Sequence, residues 1–211
     1  DGLANLASLS KLRAIDLRNT KISDDGVKHL AGLANLSDLQ LEKTNVTDDG
    51  IKAIAQLPLK SLNVNYCTSI SDESLFALRD TTSIESIQMD YTKISDKGME
   101  VFMAFEWLKR MRLRGTDVTG EGLVNVFGPY MQRVEMRDSS LDDLGMKSFE
   151  DFKQCTVLDI SECRLVTPEG MQSIKEMPML EEISLWETKA DDSVVAALVN
   201  LEHLRKLDLK A

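Results

Sequence analysis

The stretch Leu12 to Asn35, LRAIDLRNTKISDDGVKHLAGLAN, returns at Leu36 as LSDLQLEKTNVTDDGIKAIAQLP. It returns again, with drift, at Leu59, Ile84, Leu108, Met131, Cys155 and Leu180. A half-copy, LRKLDLKA, starts at Leu204. Eight copies of 23 to 25 residues therefore run from Leu12 to His203. A unit that short cannot bury its own apolar face, so successive units must stack, and a fixed period in this range specifies a solenoid. The expected organisation is a single domain over residues 1–211: a partial repeat at 1–11, eight repeats at 12–203 and a partial repeat at 204–211. The opening DGLANLASL matches Asp25 to Leu33, the chain closes just after a strand, and neither end carries a polar cap. The expectation is a piece of a longer chain.

Each copy reads the same way. In the first, Ile15 and Leu17 point to one side, while Ala14, Asp16 and Arg18 point to the other. A period of two marks a half-buried strand. A helical crossover separates each strand from the next, so the strands form a parallel sheet. Next comes a small polar or thiol residue, such as Thr20, Thr44, Cys67 or Cys163, able to bond the turn backbone. Ser23, Thr47, Ser71, Ser95, Thr119, Asp142, Thr167 and Asp191 then form one column, all preferred helix N-caps. Acidic residues follow them, where they complement the helix dipole. Apolar residues recur at helical spacing beyond, and short α-helices are expected on this side. The aromatic residues Phe102, Phe105, Phe127, Phe149 and Phe152 read as a core stack, and Trp107 as a partly buried loop residue.

The pattern LxxLxLxxTxISDxGLxxLxxLxx resembles that of leucine-rich repeat proteins over essentially the whole chain. The copies at Cys67-Thr-Ser-Ile-Ser-Asp-Glu-Ser-Leu75 and Cys163-Arg-Leu-Val-Thr-Pro-Glu-Gly-Met171 each gain one residue after the cysteine. They resemble the cysteine-containing repeats of F-box-associated proteins. The threonine copies are similar to the TDxGL repeats of bacterial multi-repeat proteins and dominate, which points to a bacterial origin. The resemblance implies an α/β right-handed solenoid, a curved horseshoe with a parallel β-sheet on its concave face and short helices on its convex face. It does not imply one function.

On such a scaffold the open surface is the concave sheet. Nine strands spaced ~4.8 Å apart offer a ribbon roughly 38 Å long, sized for a protein or polymer. Two features stand out on it. Arg110, Arg112, Arg114, Arg133 and Arg137 cluster on adjacent strands, and like charges directly opposite are unfavourable. In a chain of net charge −10 they make a local positive spot that suits carboxylates or phosphates. The competing reading is internal neutralisation, with Arg112 facing Glu135 and Arg114 beside Asp90. Tyr66 and Tyr91 follow two adjacent strands and Trp186 ends another; exposed Tyr, Trp and Arg are common interface anchors. The competing reading packs the tyrosines over their own turns. Tyr66, Tyr91 and the arginines would make one patch.

Other signals carry less. The acidic balance argues against nucleic acid or an anionic membrane as partner. No apolar run approaches the ~18 residues of a membrane span. Three cysteines, Cys67, Cys155 and Cys163, without CxxC spacing suggest neither a disulfide framework nor a zinc site. The column Asp24, Asp48, Asp72, Asp96, Asp143 and Asp192 is accounted for by the helix starts rather than by calcium. His29 and His203 have no catalytic companions and are expected to be solvated. No cofactor or enzyme activity is expected. The leading function is a non-catalytic module, a monomer, that binds another protein on its concave face. Recognition of an acidic glycan, and substrate recognition for a larger enzyme such as a ligase, are the alternatives.

Overall fold

The computed structural model describes residues 2–210; Asp1 and Ala211, the bounds of the expected domain, lie outside them. Among the described residues nine strands form one parallel sheet in chain order: β1 Ala14–Asp16, β2 Asp38–Gln40, β3 Ser61–Asn63, β4 Ser86–Gln88, β5 Arg110–Arg112, β6 Arg133–Glu135, β7 Val157–Asp159, β8 Glu182–Ser184 and β9 Lys206–Asp208. The register follows the repeat, with Ile15 beside Leu39, Leu39 beside Leu62 and Met111 beside Val134. The second inward residue lies just past each strand and continues the ladder, as Leu41 N–H donates to the Asn63 carbonyl at 2.7 Å. Leu39, Leu62, Ile87, Met111, Val134 and Leu158 are fully buried.

The crossovers carry α1 Asp24–Val27, α2 Asp48–Ile54, α3 Asp72–Ala77, α4 Asp96–Met99, α5 Gly120–Leu123, α6 Asp143–Ser148, α7 Pro168–Met171 and α8 Asp192–Leu198. The expected short α-helices are present in every crossover. Four of them continue as 3₁₀ turns, at Lys28–Leu30, Glu100–Ala104, Phe149–Asp151 and Gln172–Glu176. A 3₁₀ turn rises about 2.0 Å per residue against about 1.5 Å for α, so the same few residues reach back to the next strand.

All eight expected N-caps stand in extended backbone at the helix starts. Ser23 and Ser95 make no side-chain cap bond; the other six do. The aspartates after them do more than complement a dipole. Five of them reach into the next repeat and accept both the backbone N–H and the hydroxyl of the cap there. The pairs are Asp24–Thr47, Asp48–Ser71, Asp72–Ser95, Asp96–Thr119 and Asp143–Thr167, with distances of 2.6 to 2.9 Å.

The phenylalanine stack is four residues, not five. Phe102, Phe105, Phe149 and Phe152 are fully buried, whereas Phe127 is 55% exposed. The repeat of Phe127 is one residue short, and Gly128 takes the position that Phe105 and Phe152 hold in neighbouring repeats. The Phe152 ring fills the place of a Gly128 side chain, which would lie 2.1 Å from it. No room remains there for Phe127.

Candidate partner-binding face

β5, β6 and the residues just past them place the expected arginines on the concave face, but the cluster divides. Arg112 at the end of β5 is central. Its Nη2 lies 2.5 Å from Asp90 Oδ2, and its Nε donates to the same oxygen at 2.9 Å. On its other side Nε makes an ionic contact of 2.8 Å with Glu135 Oε2. Arg133 Nη1 donates to Glu135 Oε1 at 3.0 Å. The chain Asp90–Arg112–Glu135–Arg133 thus alternates in sign and balances, two charges against two.

Asp90 is fully buried beneath this chain. Burial raises its carboxyl above the ordinary range, although Arg112 and the Arg114 N–H oppose this. Burial works against the Arg112 charge too, but the carboxylates of Asp90 and Glu135 hold that guanidinium above its ordinary range. The expected Arg112–Glu135 neutralisation is present. The Arg114–Asp90 one is different in kind: Asp90 Oδ1 accepts the backbone N–H of Arg114 at 3.0 Å, and its charge goes to Arg112.

Arg137 is also spoken for. Its Nε donates to Glu162 Oε1 at 2.7 Å, and its guanidinium lies 4.5 Å over the ring of Trp186. Ser161, small and in the intervening repeat, leaves the space for that reach. Trp186 therefore belongs with Arg137 and not with the tyrosines.

Two of the five arginines make no ion pair among the described residues, Arg110 and Arg114. Arg110 is exposed and sits in register with Arg133. Arg114 keeps its Nε buried without a partner.

The tyrosines pack on each other. Tyr66 and Tyr91 occupy left-handed backbone, with φ of 59° and 53°, and their rings stack at 4.9 Å and 19°. Lys43 Nζ caps the outer face of Tyr66 at 4.9 Å. Tyr91 closes on Gly115, where a Cβ would meet its ring at 2.3 Å. Gly115 itself has φ of 61°, a conformation that favours glycine. The ladder Lys43–Tyr66–Tyr91–Gly115 borders the arginines through the bond from Tyr91 N–H to the Arg114 carbonyl at 2.7 Å.

A recess of ≈ 400 Å³ opens between β4, β5 and β6, lined by Gln88, Arg110, Met111, Arg112, Arg133 and Glu135. A second, of ≈ 420 Å³, adjoins it across Arg110 and has Asp38, Lys60, Glu85 and Lys109 in its walls. Glu85 bridges Lys60 at 2.9 Å and Lys109 at 2.7 Å. Sequence reasoning passed over this row, though Lys60, Glu85 and Lys109 stand one residue before three successive strands, and the register alone aligns them. It also placed Trp107 too deep. Trp107 is 52% exposed and stacks on Tyr130 at 5.3 Å and 15°.

His29 and His203 are exposed. Among the described residues no group of His, Cys, Asp and Glu converges as a metal site, and no helix is long and apolar enough to cross a membrane.

The family model described as Leucine Rich repeat matches residues 8–31, 32–55, 57–78 and 156–175. These matches fall on copies of the repeat whose strands pair in the one sheet described above. The chain carries leucine-rich repeats and has their solenoid fold. No curated protein matches it in sequence. Solved structures share its fold. The internalin inlF of Listeria monocytogenes superposes with a TM-score of 0.75 at 15% identity, covering 99% of this chain and 57% of that one. The internalin C2 of the same organism gives 0.72 at 18% identity, covering 99% and 92%. A plant peptide hormone receptor, RGFR1 in complex with RGF2, gives 0.58 at 13% identity, covering 98% and 37%. This leucine-rich repeat chain thus spans little more than half the length of the first internalin and over a third of the plant receptor.

Proposed function

We propose that the concave sheet of this leucine-rich repeat protein is the binding face of a non-catalytic protein-interaction module. Leucine-rich repeat domains are typically interaction modules, and the plant neighbour is a peptide hormone receptor. The observation that carries the reading is the pair of arginines left over on this face. Asp90, Arg112, Glu135 and Arg133 balance one another, while Arg110 and Arg114 make no ion pair among the described residues. Fold stability gains nothing from Arg110 beside Arg133. An external anionic or hydrogen-bonding partner gives both a role.

The acidic-glycan reading has weaker support. Sugar rings lay their C–H faces on aromatic rings, and here those faces are taken: Tyr66 and Tyr91 by each other, Lys43 and Gly115, and Trp186 by Arg137. Delivery of a bound protein to an enzyme, such as a ligase, would use the same concave face.

Site-specific photo-crosslinking tests the reading. A crosslinker replacing Gln88 should capture a discrete protein from cells of the source organism, and one replacing exposed Glu121 on the helical side should not. Equal capture from both positions, or capture only from Glu121, would move the binding face off the sheet.

A further inference from the structure

We propose that Arg110 and Arg133 form a clamp for a carboxylate side chain of an acidic peptide segment, seated in the recess between β4 and β6. The proposal rests on the concave-face reading and names what that face takes. Its basis is a charge left over after internal pairing. Arg133 is held in place by Glu135, which Arg112 holds in turn, and Arg112 is anchored on buried Asp90. Arg133 is thereby presented beside Arg110, its register partner on β5, and Arg110 makes no ion pair among the described residues. The neighbouring recess adds to the imbalance, because the single carboxylate of Glu85 serves both Lys60 and Lys109. Asp38 on the far wall is the one further carboxylate there.

A carboxylate between the two guanidiniums would turn a like-charge contact into two charge-assisted hydrogen bonds. The strand spacing of ~4.8 Å suits one carboxylate bridging two arginines. Gln88 lies in register with Arg112 on the same wall, and its side-chain amide makes no hydrogen bond among the described residues. A primary amide donates and accepts at once, as a peptide backbone group does. The recess has no aromatic wall, and the nearby ring faces are covered. That favours a peptide over a glycan.

The test uses a decapeptide of alternating Glu and Gly, acetylated and amidated so that its only carboxylates are side chains, labelled with a neutral dye. Anisotropy reports its binding to the chain and to the variants R110Q, R133Q, R110K and R18Q. Arg18 lies on the same face but far from the recess and is paired with Asp16. The parent should bind the Glu peptide against its own net charge of −10. R110Q and R133Q should each weaken binding about tenfold, the scale of a charged hydrogen bond. R110K should fall between, since lysine keeps the charge and loses the fork. R18Q should bind like the parent. R110Q removes no ion pair or side-chain hydrogen bond among the described residues, so its melting temperature identifies a folding artefact.

The clamp is overturned if the Gln-for-Glu peptide binds equally, if R18Q loses as much as R110Q, or if oligogalacturonate of equal charge binds as tightly as the peptide. Absence of peptide binding also overturns it. If the crosslinker at Gln88 captures a protein and R110Q leaves that capture intact, the concave face stands as a binding face and the clamp alone falls.

Discussion

The carboxylate of Asp48 holds Ser71, the residue that starts the next helix, by two hydrogen bonds: Oδ1 accepts the Ser71 N–H at 2.8 Å and Oδ2 its hydroxyl at 2.6 Å. The same joint recurs between other neighbouring repeats, and its exceptions follow a rule. Where the ladder aspartate is replaced by Gly120 or Pro168, the next cap is Asp142 or Asp191 rather than Ser or Thr. An aspartate beside an acidic cap would set two carboxylates together with no proton to share. At the first exception the bond reverses, and Gly120 N–H donates to Asp142 Oδ1 at 3.1 Å.

Asp48→Ala should therefore destabilise the chain by about 2–3 kcal/mol, the scale of lost hydrogen bonds to a charged group. Ser74 Oγ also donates to Asp48 Oδ1, at 2.5 Å, and loses its partner too. Asp49→Ala, next along the chain, should change stability by less than about 0.5 kcal/mol, since its ion pair with Lys52 is exposed. Urea denaturation of both variants gives the comparison. Equal effects would remove the joint from the account of stability.

The third column of each helix start reads Gly26, Gly50, Ser74, Gly98, Gly122, Gly145, Gly170 and Val194, and at Gly50, Gly98, Gly122 and Gly170 the glycine makes room for this joint. A Cβ on Gly98 would lie 2.4 Å from Asp72 Oδ1. Gly98→Ala should cost about 1–3 kcal/mol despite the better helix propensity of alanine. Gly26→Ala faces nothing nearer than 3.4 Å and should be neutral or stabilising. Ser74 and Val194 break the column without harm. The first bonds Asp48, and in the repeat before the second the ladder aspartate is replaced by Pro168. The thermal melt of G98A should fall, and that of G26A should stay level or rise.

Acid should loosen the solenoid through the same joint. Burial alone would raise the Asp48 carboxyl, but the bonds from Ser71 and Ser74 outweigh it and hold it below the ordinary 3.8. A depressed carboxylate stabilises the fold above its unfolded value and loses that contribution as pH falls through the folded value. Stability from Asp48 should be intact above about pH 5 and decline below pH 3.8, and Asp48→Asn should flatten that part of the profile. Denaturation midpoints of parent and variant across pH 2 to 6 would show the difference.

Arg112 and Arg110 should respond oppositely to loss of charge. Arg112→Gln leaves Asp90 buried without its ion-pair partner and should cost about 3–5 kcal/mol. Arg110→Gln removes a like-charge neighbour of Arg133 and should leave stability unchanged or raise it by about 0.2–1 kcal/mol. Calorimetry on both decides it. A large loss in R110Q would mean that Arg110 serves the fold rather than a partner.

The thiols should be inert in the native chain. All three cysteines are buried and free. Burial pushes Cys155 up to about 12 and Cys163 up to about 11. At pH 8 a thiol reagent should modify them only as fast as the chain opens, and all three should react at once in denaturant. Rapid native labelling of Cys163 would contradict the closed turn that it helps to fill.

What the sequence determined by itself is the period. A 24-residue mean repeat with two inward residues per strand fixes a parallel sheet, its order and its register, because only stacking buries so short a unit. From that register Arg110 beside Arg133 and Arg112 beside Glu135 followed directly, as did the helix starts. The tertiary structure decided where side chains longer than one repeat reach. Arg112 turns to Asp90 in the preceding repeat, Arg137 spans Ser161 to cover Trp186, and the ladder aspartates bond forward instead of at home. It also decided that Phe127 faces out, because Phe152 from the next repeat occupies the space above Gly128. Periodicity states which way a side chain leaves the backbone. Which neighbour satisfies its charge or fills its volume depends on distances between repeats, and those exist only once the chain has stacked.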